Sequence, residues 1–161
     1  MGSYAIEVIA EIDVEASWIE TLKAAATATL ADQKTSLPAG LTLLVTDDAK
    51  LHELNLTYRG EDKATDVLSF TFEDPAGPEM AGYLGDIAIS VDTARRQAQT
   101  AGHALLDELC LLTVHGTLHL LGFDHDHPAA EAAMWAAQNA ILMSLAGQLP
   151  GLTGVILTGE S

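Results

Sequence analysis

Four of the chain's six histidines fall in the thirteen-residue stretch "HGTLHLLGFDHDH", His115 to His127, inside an otherwise apolar, alanine- and leucine-rich region. His115 and His119 stand four residues apart, so on a helix both rings leave the same face with Cβ atoms about 6 Å apart. Gly122 can take the positive φ that turns the chain back and brings His125 toward the pair. Three imidazoles at this spacing can converge on one cation, and neutral imidazole suits Zn²⁺, with nickel, copper or iron as alternatives. His127 reads as a solvated or capping residue beside the start of the last helix, and His52 and His103 read as surface residues.

A structural zinc is normally closed by four protein ligands, often cysteines. The single cysteine, Cys110, lies five residues before His115, about 140° around a helix, and faces away. A fourth ligand from Asp124 or Asp126 is one option, and either aspartate could instead hold a ligand ring through its second nitrogen. The simpler arrangement leaves one position for water, which marks a catalytic ion. His119-x-x-Gly122-x-x-His125 repeats the second half of the metzincin protease pattern, but Gly116 stands where that pattern has its general-base glutamate. A metzincin-like metallohydrolase therefore lacks its base and becomes an alternative.

The elements that position these residues follow from periodicity. "YAIEVIAEI" alternates as a strand, "EASWIETLKAAATATLAD" has helical spacing, and "LTLLV" is a second strand. Thr46 or Asp47 caps a helix that runs through Leu51, Leu54 and Tyr58 and stops at Gly60, which puts Arg59 at a helix end. "TDVLSFTF" and "LGDIAISV" are the third and fourth strands, separated by the loop "EDPAGPEMAG". Asp92 caps a short helix closing at Gly102, and "ALLDELCLLTVHGTLHLL" is a largely buried helix stopping at Gly122. Pro128 starts a last helix. The order predicts an α+β fold: a single four-stranded mixed sheet covered by helices, with a central buried helix carrying the metal-binding histidines. One domain is expected over residues 1–147, followed by a loose C-terminal tail, 148–161, in which "GVILT" could add a short strand.

Charge is the unusual bulk property. With 23 acidic and 7 basic residues the net charge is −16, which argues against a general electrostatic grip on nucleic acid or an anionic membrane. A polyanion must bind at a local patch. Lys50, Arg59, Lys63, Arg95 and Arg96 fall between positions 50 and 96 and no basic residue follows, so a cleft lined by Arg59, Lys63 and Arg95 or Arg96 is expected near the metal. No apolar run is long enough to span a membrane, and the N-terminus lacks a secretory signal, so a cytoplasmic protein is expected.

Three segments in order resemble one family. "HGTLHLLGFDH" is similar to the H-G-x-L-H-L-x-G-[YF]-D-H signature of the YbeY family of bacterial ribosomal-RNA maturation factors, "LNLTYRGEDKATDVLSF" resembles that family's L-N-x-x-Y-R-x-x-D-K-P-T-D-V-L-S-F stretch, and "LGDIAIS" its L-G-D-I strand. The resemblance runs from about Leu54 to the final helix. It implies a zinc-dependent, single-strand-specific endoribonuclease acting in ribosomal RNA maturation, at the 3′ end of the small-subunit RNA, and in ribosome quality control. Its partners would be single-stranded rRNA and the small ribosomal subunit, with no DNA and no membrane. Carried over residue by residue, His115, His119 and His125 correspond to ligands of one Zn²⁺ and Arg59 to the functional arginine. The alternative from another class is a ribosome assembly factor whose metal is structural. Ala64 and Thr71 stand where the family usually has prolines, Phe123 replaces a tyrosine, and Gln138 replaces the second of two glutamates after the last ligand. None of these departures is expected to touch the ligands.

Overall fold

The computed structural model describes residues 3–72, 82–124 and 126–148. Within them the order is β1 (Ala5–Ala10), α1 (Ala16–Asp32), β2 (Gly40–Thr46), α2 (Asp48–Arg59), β3 (Val67–Thr71), β4 (Tyr83–Ser90), α3 (Val91–Ala101), α4 (Leu105–Leu120) and α5 (Pro128–Gln148). The strands form one sheet in the order β1-β2-β4-β3. β1 pairs with β2 and β2 with β4 in parallel, and β3 closes one edge antiparallel to β4. This is the expected α+β architecture with a single mixed sheet. Most of the loop between β3 and β4, and the tail 149–161, lie outside the described residues.

Strand alternation sorts the helices between two faces. Leu41, Leu43 and Val45 of β2 and Ile87 and Ile89 of β4 point into the main core, with Leu22, Ala26 and Leu30 of α1, most of α4, and Met134, Ile141 and Leu145 of α5. The other face carries Leu44, Leu68, Phe70 and Ala88, covered by Leu51 and Leu54 of α2. α4 and α2 therefore lie on opposite sides of the sheet.

Capping explains most helix boundaries. Asp47 accepts a hydrogen bond from Lys50 N (3.0 Å) at the start of α2, and Gly60 ends it in the left-handed region at φ 69°. The cap of α3 is Ser90, whose Oγ accepts from Thr93 N. Asp92, expected as that cap, is instead inside the first turn, because the strand runs straight into the helix and the last strand residue supplies the hydroxyl.

α4 is apolar almost all round, as a helix between a sheet and other helices must be. It begins with Asp107 and Glu108 in its first turn, where the helix dipole favours negative charge. It ends in a Schellman arrangement: Phe123 N donates to Leu118 O and Gly122 N to His119 O, both at 3.0 Å, with Gly122 at φ 101°. The helix thus stops at Leu120, one residue beyond His119, just before the glycine.

Candidate active site on the buried helix

His115 and His119 sit on the half-exposed stripe of α4, at its C-terminal end. Their rings are edge-to-face with centroids 4.7 Å apart, and the two Nε2 atoms approach to 3.2 Å. Two nitrogens bound to one zinc at 2.0–2.1 Å with a tetrahedral angle stand about 3.3 Å apart. The pair therefore has the spacing of two ligands of one ion. His115 Nδ1 lies 3.0 Å from Gln138 Oε1. A carbonyl oxygen only accepts, so Nδ1–H donates, which in the neutral ring leaves the lone pair on Nε2, toward His119. Among the described residues no group of three or more His, Cys, Asp or Glu side chains is placed to hold a metal. The expected third ligand, His125, lies outside them.

Gln138 is a finding that sequence reading missed. It comes from α5, is fully buried, and holds the ring that α4 presents. The departure from the family's glutamate at this position thus does touch a predicted ligand. Helical spacing on α5 puts Glu131, Trp135 and Gln138 on one stripe, but only the packing of α5 on α4 turns that stripe to His115. The Trp135 ring lies 6.3 Å from the His115 ring.

Gly116 explains how α4 comes so near the sheet. A Cβ at this position would meet Ile87 Cγ2 at 2.8 Å and Ser69 Oγ at 3.2 Å, and Ser69 Oγ donates to Gly116 O at 3.1 Å. The residue after His115 therefore faces the sheet. A glutamate base could not work from there, which removes the geometry a metzincin site requires.

Beside the pair is a cavity of about 670 Å³ between α3, α4 and α5. Its apolar wall includes Leu111, Leu112 and Trp135, and His115 lies at its boundary. Its polar lining includes Asp66, Arg96, Gln97, His103, Glu108 and Glu131. Gln97 Nε2 donates to Asp66 Oδ2 at 3.2 Å, and Arg96 is held by Asp48 Oδ2 at 2.8 Å and Thr93 Oγ1 at 2.9 Å.

His103, expected at the surface, is buried: its side chain is 3% exposed and its Nε2 lies 2.6 Å from Glu108 Oε1, itself 7% exposed. Gly102 closes α3 at φ 78° and folds the following histidine back over the start of α4, which no periodic signal announces. Burial pushes the Glu108 carboxyl above its usual range, opposed by the hydrogen bond and charge of His103.

Other predicted residues are placed apart. Arg59 is exposed at the end of α2, on the sheet face opposite α4, and is not among the described lining of the cavity. Of the cations expected in a basic cleft, Arg96 lines the cavity whereas Arg59, Lys63 and Arg95 are not among its described residues. His127 is exposed and its Nδ1 accepts from Ala130 N, the capping role expected of it. His52 is half-exposed and bonded to Asp62, as a surface histidine. Cys110 is buried, and burial followed by the nearby Asp107 charge pushes its thiol up to about 12.

Fold and site together define a small α+β protein with paired imidazoles on a buried helix packed against a mixed sheet. Comparison gives the family. Residues 6–146 match the family profile described as Endoribonuclease YbeY. Among similar proteins, the Endoribonuclease YbeY of Moorella thermoacetica is 47% identical over 141 residues, covering 83% of this chain and 90% of that protein. That of Chloroflexus aggregans is 43% identical over 153 residues, covering 89% and 97%. The solution structure of TM1509 from Thermotoga maritima shares the fold, with a TM-score of 0.63 at 22% identity over 89% of this chain and 90% of that one. This chain belongs to the YbeY family.

Proposed function

We propose that the chain is a metal-dependent endoribonuclease that cuts single-stranded ribosomal RNA, acting on the small ribosomal subunit in 3′-end maturation and quality control, in the cytoplasm. His115, His119 and His125 are assigned as ligands of one zinc ion, and Arg59 as the residue that meets phosphodiester charge. The observation that carries this reading is the 3.2 Å convergence of the two Nε2 atoms in a chain of this family. No helix among the described residues is long and apolar enough to cross a membrane.

A bound zinc supplies Lewis acidity and lowers the pKa of its water toward 7. The chain's own residues provide the rest. Gln138 holds the His115 Nδ1–H, which directs the Nε2 lone pair and fixes the ring. Gly116 seats α4 against β4, and His115 and His119, about 100° and 60° around the helix from it, project from the flank of α4. Arg59, exposed at the α2 terminus behind the edge strand β3, can grip a backbone phosphate where the strand crosses that edge. With a net charge of −16, electrostatic attraction stays local to such points.

The test is elemental analysis of purified protein beside cleavage of single-stranded RNA, with and without small subunits. One zinc per chain and cutting by the parent are expected. His119→Ala should lose zinc and cutting, and Arg59→Glu should lose cutting while keeping zinc. A zinc-loaded, folded protein that leaves RNA intact under both conditions would refute the enzyme reading. If zinc removal simply unfolds the chain and Arg59→Glu changes nothing, the metal is structural and the chain is an assembly factor.

A further inference from the structure

We infer that the cavity between α3, α4 and α5 is a seat for one unpaired nucleobase bearing an exocyclic amine, stacked on Trp135 and read by the buried polar groups beyond it. The identity of the ligand as RNA rests on the function proposed above. The cavity's chemistry stands by itself.

The volume, about 670 Å³, lies in the range of roughly 300–1,000 Å³ typical of small-ligand sites. Its lining argues against phosphate. Asp66, Glu108 and Glu131 bring carboxyl groups to the wall. The arginine of the lining is already engaged, Arg96 by Asp48 and Thr93. An anion entering here would meet more negative than free positive charge. A neutral, flat ring with N–H donors suits the same surface.

Two further features select that ring. Trp135 and the leucines at 111 and 112 supply flat and apolar walls, and aromatic side chains are the usual platform for unstacked bases. His103 Nδ1 has no hydrogen-bond partner among the described residues, on a side chain only 3% exposed. With Nε2–H donating to Glu108, Nδ1 is an acceptor, and a buried acceptor without a donor costs free energy that a ligand N–H recovers. Adenine, cytosine and guanine carry an amine that can donate to it and to the carboxylates. Uracil presents carbonyl oxygens on both sides of a single N–H and fits less well.

Trp135 is also the neighbour of His115, so a base stacked there brings its own backbone to the histidine pair. In a duplex the amine is used in pairing and the base is stacked on its neighbours. The cavity therefore converts strandedness into selectivity while reading only the one seated base.

The chain has two tryptophans, Trp18 and Trp135, so Trp18→Phe leaves Trp135 as the sole reporter. Titrating this protein with adenosine, cytidine, uridine and inorganic phosphate should give saturable quenching by the first two, at least about fivefold weaker quenching by uridine, and none by phosphate. Trp135→Leu should raise KM for single-stranded RNA by about 5- to 150-fold, the range for losing one base–aromatic stack, with kcat nearly unchanged, and Trp135→Phe should restore most of it. The nucleoside titration keeps the test open if Trp135→Leu fails to fold. Phosphate binding in place of nucleosides, or uridine equal to cytidine, would overturn the inference. So would an active nuclease showing neither quenching nor a KM change, with the proposed function left standing. Saturable cytidine binding by a chain that cuts no RNA would uphold the seat and remove the function.

Discussion

Gln138→Leu separates holding a ligand from holding the fold. In the structure Gln138 is 0% exposed, its Oε1 accepts from His115 Nδ1 at 3.0 Å, and its Nε2 has no partner among the described residues. Replacement by leucine removes one neutral hydrogen bond, worth about 0.5–1.5 kcal/mol, and also removes a buried unpaired N–H group that costs about 1–3 kcal/mol. The terms oppose, so the metal-free protein should keep its unfolding free energy to within about 1 kcal/mol or gain. Zinc affinity should instead fall by about 10- to 100-fold, since the ring loses the partner that fixes its orientation and tautomer. Urea unfolding in chelator measures the first quantity, and competition with a fluorescent zinc indicator measures the second. Gln138→Glu, which restores an acceptor and leaves no orphaned N–H, should bind zinc at least as well as the parent. A Gln138→Leu protein that loses more than about 2 kcal/mol while binding zinc as the parent does would refute the reasoning, because the glutamine would then be a packing residue.

Gly116→Ala should cost about 1–3 kcal/mol in urea unfolding, because its Cβ must displace fully buried Ile87 from 2.8 Å, whereas Gly147→Ala, with open space around it, should be neutral or slightly stabilising; equal effects would contradict the close seating of α4. Burial raises the Asp48 carboxyl, but hydrogen bonds from Ser90, Thr93 and Arg96 together outweigh it and hold the group below its ordinary 3.8. A folded-state pKa below the unfolded one contributes stability that is complete above about pH 4 and fades as pH falls through the folded value. The Tm difference between parent and Asp48→Asn should therefore be full at pH 7 and shrink below pH 4; parallel Tm curves down to pH 2.5 would show that Asp48 contributes nothing through its charge.

Local spacing alone determined much here. Alternation placed the first strand and apolar runs between turn residues the other three, glycines after Arg59, Ala101 and Leu121 placed the helix ends, and the four-residue step from His115 to His119 put two rings on one face, because each follows from backbone geometry within a few residues. Tertiary structure decided what those rings meet. Gln138 reaches His115 across 23 positions of sequence, and His103 is buried because a left-handed glycine folds it onto Glu108. Arg59, close in sequence to the strand that supports α4, lies on the far side of the sheet because alternate residues of that strand face opposite ways. Contacts between elements depend on which faces pack together, and a single chain's pattern gives the faces without giving their partners.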